Sequence, residues 1–304
     1  MKKFLEKLDN TSYCKPSDFD KEKCNESEEK KFKEYLHLLI NQEKAKLLFR
    51  GTKIVDLKSK LDHKLNSNNS LFDGLFLVGD KAKNYLEKGE DIPHQIKEID
   101  SVGVDVGEWI FGEYLNIPTK MVETDYFKIE TNQTKFANAL KGDRSLIDYY
   151  LVGLHKLNSG ILVNFVSTTA SSDQALSYGN DIIILLWLAE SYSKHAIGKS
   201  TLNAKLKKIS NKRLPCWIDL FESEYEYSFK GFILPHFILG ALSVSENIFI
   251  INPALLKNRD LNWIKNGFEI DDERFFEFIK TTKYKRFLTL HDNEVFKEKT
   301  FANK

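Results

Sequence analysis

Cysteine is scarce in this chain, and what little there is makes no pattern. Cys14, Cys24 and Cys216 are an odd number with no Cys-x-x-Cys among them. That excludes a disulfide framework and a zinc ribbon and predicts reduced thiols. Six prolines and 15 glycines in 304 residues exclude collagen-like and low-complexity chains. Charge of one sign is missing too: 45 Lys and Arg balance 44 Asp and Glu, for a net of +1. No uniform field therefore drives the protein onto nucleic acid or anionic lipid. The longest apolar run, residues 182–189, is too short to cross a bilayer. Lys2 and Lys3 could open a signal peptide, but Glu6, Lys7 and Asp9 interrupt the apolar stretch it needs. A cytoplasmic protein without a membrane partner is the expectation.

Motifs of several enzyme classes are absent as well. Seven histidines include no His-Glu-x-x-His and no close His/Cys grouping, so no metal site is expected. No Gly-x-Ser-x-Gly elbow presents a serine nucleophile. Gly198-Lys199-Ser200 sits between a strand-like and a helix-like stretch, as a phosphate loop would. The glycine such a loop needs five positions earlier is Ser193, and only glycine-type dihedrals let the backbone wrap a phosphate.

What is present is a foldable chain. It is 42% hydrophobic, and its 22 Phe, 12 Tyr and 4 Trp supply surface for one large core or two small ones. Residues 1–30 are rich in Lys, Glu and Asp and read as a solvated lead-in. Phe32, Leu36, Leu39 and Ile40 recur at helical spacing, which predicts a helix over 28–46. Leu47 to Gly51 then reads as a buried strand. A second helical pattern covers 136–157. The β-branched run at 161–166 ends in Ser167-Thr168-Thr169 and leads into a short helix over 172–178, capped by Ser171 or Ser172. Residues 182–188 are apolar at consecutive positions, as in a strand buried on both faces. A helix is expected over 201–211. The apolar runs 232–242 and 248–251 flank Ser245-Glu246-Asn247 as a hairpin. Strands with flanking helices predict an α+β fold.

Three polar clusters stand at strand ends: Arg50, Ser167-Thr168-Thr169, and the acidic run Glu222-Ser223-Glu224-Tyr225-Glu226. Each has a plain reading by itself, as a surface residue, a turn and a solvated face. In their order and surroundings they resemble the Arg–Ser–Glu class of mono-ADP-ribosyltransferases, the bacterial ADP-ribosylating toxins. That family has an aromatic-Arg-Gly strand, an aromatic-x-Ser-Thr-Ser strand with a short helix after it, and Glu-x-Glu heading a later strand. The corresponding blocks are Phe49-Arg50-Gly51, then Phe165-Val166-Ser167-Thr168-Thr169 with Ala175 and Tyr178 trailing, then Glu224-Tyr225-Glu226 before Tyr227-Ser228-Phe229. Thr169 replaces the family's second serine and keeps a hydroxyl.

The resemblance implies a split β-sheet core with flanking helices over 47–256, after a helical lead-in (1–46) and before a basic helical extension (257–304). It implies that NAD is a substrate, cleaved at its nicotinamide–ribose bond. Arg50 would hold NAD phosphate, Gly51, Ser167 and Thr168 would belong to the NAD site with it, and Tyr178 would stack on nicotinamide. Ser167 would also bind the site together near the glutamate. Glu226 would stabilise the ribosyl cation and Glu224 would prepare the acceptor. Glu222/Glu224 competes as the acidic pair, and His236 would occupy the glutamate's place if the strand were 232–242 instead.

The resemblance further implies an intracellular toxin of a toxin–antitoxin or phage-defence system, with an antitoxin as partner. An NAD glycohydrolase on the same fold and a non-catalytic binding module are the competing readings. From 191 to 218 there is no acidic residue, while Lys194, Lys199, Lys205, Lys207, Lys208, Lys212 and Arg213 are basic. This local bias suggests an anionic acceptor: RNA, DNA or a protein bound to them. The plain alternative is a solvated helix face.

Overall fold

The computed structural model of the chain describes residues 2–16, 21–41, 45–61, 165–189, 196–198, 225–230 and 237–252, with positions 75, 129–131, 134, 138, 233, 255 and 256 besides. Among these residues, nine strands form one mixed sheet, flanked by helices, which is an α+β architecture. In chain order the strands are β1 (Ser12–Pro16), β2 (Lys21–Lys23), β3 (Ala45–Thr52), β4 (Phe165–Thr169), β5 (Ile182–Ala189), β6 (Ala196–Gly198), β7 (Glu226–Lys230), β8 (Ile238–Ser243) and β9 (Ile248–Ile251). Across the sheet they run β2-β1-β9-β8-β5-β3-β4-β7-β6. All neighbours are antiparallel except β1 and β9.

The sheet is uneven in how firmly it is joined. β3 pairs with β5 along its whole length, from Ala45↔Ala189 to Thr52↔Ile182. β4 pairs with β7 over five positions, from Phe165↔Lys230 to Thr169↔Glu226. Between these two ladders, β3 and β4 share one registered pair, Phe49↔Thr169. A six-stranded half and a three-stranded half therefore meet at a narrow seam.

Central β5 is apolar throughout because both its faces are covered. Ile182, Ile183, Leu185, Leu186, Trp187 and Leu188 are all buried, and the Trp187 ring meets Phe237 edge-on at 5.0 Å. β8 and β9 form the expected hairpin, closed by a turn whose Asn247 adopts φ 53. Asparagine tolerates that left-handed conformation better than most residues.

The first thirty residues are not a solvated lead-in. Helix α1 (Lys2–Asp9) buries Phe4 and Leu8, and the Phe4 ring packs on Phe49 of β3 at 4.8 Å. β1 lies parallel to β9, with Tyr13 beside Phe249 at 5.8 Å. The charged residues that dominate this stretch lie largely outside, while its few apolar ones reach partners far along the chain. Helix α2 (Glu26–Ile40) buries Phe32, Leu36 and Leu39, as their spacing predicts, and Tyr35 with them, whereas Ile40 of the same pattern is exposed at the helix end. It begins earlier than expected because Asn25 and Glu28 form a capping box. It ends earlier too, since Ala45 and Lys46 are drawn into the β3 ladder.

Helix α3 (Ile54–Leu61) follows β3 directly, and Asp181 accepts a hydrogen bond from the Ile54 backbone N–H at 2.9 Å. Helix α4 (Ser172–Tyr178) is capped by Ser171, which accepts from the Gln174 N–H. Gly198 belongs to strand β6 rather than to a phosphate loop. The expected helix over 201–211, the extension 257–304, Cys216 and, apart from Asn138, the helix over 136–157 lie outside the described residues. Among the described residues no helix is long and apolar enough to cross a membrane.

Candidate active site

The short stretch Leu47-Leu48-Phe49 anchors Arg50. All three side chains are buried, so the strand cannot slide or turn without exposing them. Arg50 follows, half-buried, at the seam between the two halves of the sheet. Its Nη1 donates to the backbone carbonyl of Ser167 on β4. Burial pulls the guanidinium below its ordinary range, and the neighbouring Glu226 carboxylate acts in the opposite sense. A guanidinium remains charged at neutral pH and carries five N–H donors, so the bond to Ser167 uses one of them.

Gly51 explains how Arg50 and the short helix after β4 share this space. A Cβ at 51 would lie 1.7 Å from the carbonyl oxygen of Ala175 and 2.9 Å from that of Gly179. No side chain fits there. Gly179 is restricted in the same way, since a Cβ there would meet the Thr52 backbone at 2.5 Å. The two glycines let α4 lie directly on β3.

The Ser-Thr-Thr block divides its hydroxyls between two faces, because side chains alternate along a strand. Ser167 pairs with Ser228, and Thr169 with Glu226, so these four residues share one face. Thr168 lies on the other face, buried, where its hydroxyl donates to the Tyr227 carbonyl at 2.7 Å and ties β4 to β7. Thr169 Oγ1 accepts from the Ser171 N–H at 3.0 Å and so shapes the entry to α4. Tyr178, at the far end of that helix, is 55% exposed, which rules out core packing as the reason for its ring.

Glu226 opens β7 and is half-buried. Its Oε1 accepts from Ser228 Oγ at 2.8 Å. Ser228 is the participant that the sequence pattern does not single out; its position two residues after the glutamate, on one strand face, is the signal for it. Ser167 contributes its carbonyl to Arg50. Before the glutamate, Tyr225 has φ 50 and is 63% exposed, and its carbonyl accepts the Ala170 N–H at 3.0 Å.

Arg50, Ser167 and Glu226 are thus brought together from three distant parts of the chain. β8, the strand that would make His236 the acid's substitute, lies on the far side of β5 and β3 from β4. Glu222, Glu224 and His236 themselves lie outside the described residues, as does the basic segment 194–213 apart from the three residues of β6. What assembles is a fixed cation and a hydroxyl-braced carboxylate at a seam lined with hydroxyl groups. Such a set can hold an anionic group at one end and stabilise developing positive charge at the other. No protein-family model matches this chain, and no curated protein matches it at a significant level.

Proposed function

We propose that the chain is a mono-ADP-ribosyltransferase, which moves ADP-ribose from NAD to a macromolecule. The observation that carries this reading is the bond from Arg50, on β3, to the Ser167 carbonyl of β4, with the Glu226 carboxylate of β7 near enough to act on the guanidinium electrostatically. The single-pair seam between β3 and β4 supports the split-sheet core that the resemblance implies. From the resemblance we also carry over the setting: a toxin acting inside the cell, restrained by an antitoxin.

Arg50 suits a diphosphate, since its planar fork can bind two oxygens at once. As the nicotinamide–ribose bond breaks, nicotinamide leaves with the bonding pair and becomes neutral. Positive charge is left on the ribose carbon and ring oxygen. The Glu226 carboxylate, held by Ser228, stabilises that charge where it develops, which lowers the barrier without tightening the ground state. The acceptor then bonds to the ribose carbon and gives up a proton.

Incubation with NAD labelled in its adenylate half tests this. The label is expected on macromolecule, with Arg50→Ala and Glu226→Gln each at least ~100-fold slower, as for loss of a preorganised electrostatic group. Free ADP-ribose alone would favour the glycohydrolase reading. Intact NAD would leave a binding module, and full turnover by both variants would remove the assigned site.

A further inference from the structure

We infer that Lys46 is a second cation for the diphosphate of NAD, held on the Tyr227 side chain until the substrate takes its ammonium; the inference rests on the transferase reading and adds a binding residue to that site. Lys46 stands four positions before Arg50 on β3, and side chains alternate along a strand, so the two cations share one face. Four strand residues at about 3.3 Å each would set them about 13 Å apart. Tyr227 shortens that gap. Thr168 pairs with Tyr227 and follows Ser167, whose carbonyl Arg50 holds, so Arg50, Thr168 and Tyr227 stand in one row across β3, β4 and β7. The Tyr227 hydroxyl accepts from the Lys46 ammonium at 2.9 Å, and the cation lies 5.1 Å from the ring centre. The ammonium is thereby drawn along the face toward the row that contains Arg50.

Tyr227 is a fixed post and Lys46 a movable arm. The backbone of Tyr227 is paired on both sides, with Thr168 and with Gly198, and its carbonyl accepts from Thr168 Oγ1 at 2.7 Å. A Cβ at Gly198 would lie 2.5 Å from the Tyr227 ring, so that glycine makes room for it. Lys46, in contrast, is exposed on a flexible stem. Its partner is a neutral phenol, and among the described residues no carboxylate pairs with it. A neutral partner positions the ammonium without cancelling its charge, so an arriving anion can take it over. The charge balance calls for such a group. A diphosphate carries two negative charges, whereas Arg50 supplies one positive charge and has Glu226 near enough to oppose it. Arg50 suits two oxygens of one phosphate, and a lysine adds a point charge for the other.

The test uses the full chain and measures NAD turnover together with calorimetric binding of ADP-ribose. Lys46→Met keeps the stem and removes the charge. Its KM for NAD and its dissociation constant for ADP-ribose are each expected to rise about tenfold, as for losing one hydrogen bond to a charged group. The value of kcat is expected to stay within about twofold, because the diphosphate is held alike before and during bond cleavage. Lys46→Arg is expected to keep most of the affinity. Inhibition by nicotinamide, which has no phosphate, is expected to be unchanged in both variants; a merely loosened fold would not spare it. Tyr227→Phe removes the hydroxyl that holds the ammonium and is expected to leave KM the same or lower. An unchanged KM in Lys46→Met, or a rise in Tyr227→Phe equal to the one in Lys46→Met, overturns the inference and leaves the transferase reading standing. Intact NAD and no bound ADP-ribose with the parent chain overturn both.

Discussion

Ser228 is the residue on which the carboxylate's position depends most directly. A hydrogen bond to a charged group contributes more than one between neutral groups, about 1.5–3 kcal/mol. Ser228→Ala leaves Glu226 without the hydroxyl it accepts from at 2.8 Å. Turnover of NAD is expected to fall about tenfold or more with little change in KM, because the lost bond orients a group that acts as the ribose charge develops. Steady-state NAD consumption measures this, and Ser228→Thr is expected to recover part of the loss. Arg50, Ser167, Thr169 and Glu226 are legible in the sequence because their blocks carry unusual neighbours in a fixed order. Ser228 is not, since a serine inside a strand looks like any other until the register shows which residues share its face. Gly51 is legible only as a companion to Arg50. The carbonyl of Ala175, 1.7 Å from where a Cβ would sit, shows that packing alone demands glycine there.

Helix α2 carries a pH dependence that can be separated from the site. Burial would raise the Glu28 carboxyl, but hydrogen bonds from Lys15 Nζ, at 2.8 Å, and from the Asn25 N–H outweigh it and hold the group below its ordinary range. A carboxyl with a lowered folded value contributes its full stability above the unfolded value, about 4.3. That contribution is lost as pH falls from there through the folded value. Urea midpoints measured from pH 7 to pH 3 are expected to fall on the acid side, with a shallower fall in Glu28→Gln. Asn25→Ala removes the other half of the capping box and is expected to cost about 1 kcal/mol at every pH. The apolar spacing locates the helix core well. It misplaces both ends because Glu28 caps rather than faces the core, and because Ala45 and Lys46 suit a helix locally yet complete a strand beside β5. β5 itself is legible, as consecutive apolar residues leave few other options.

At the scale of the molecule, the N-terminal segment is where the sequence misleads. Its composition is that of a solvated arm, yet Phe4, Leu8, Tyr13, Cys14 and Cys24 are all buried. Their partners, Phe49 and Phe249 among them, lie too far along the chain for local pattern to reveal. Burial first, then Glu28 and Cys14 nearby, push the Cys24 thiol up to about 12, so it stays protonated and unreactive. With Cys216 replaced by serine, iodoacetamide at pH 8 is expected to leave Cys14 and Cys24 unmodified until denaturant unfolds the chain. Peptide mass mapping reads this, and labelling of Cys14 with the sheet intact would contradict it. The two halves of that sheet carry opposite members of the proposed charge pair, Arg50 on one and Glu226 on the other, and one registered pair, Phe49↔Thr169, spans the joint beside the Arg50–Ser167 and Lys46–Tyr227 side-chain bonds. The gap between cation and anion is therefore set by that registered pair, these side-chain bonds and the seat of α4 on Gly51. Substitutions at these contacts can retune how far apart the two charges stand while both ladders, and the stability stored in them, remain as they were.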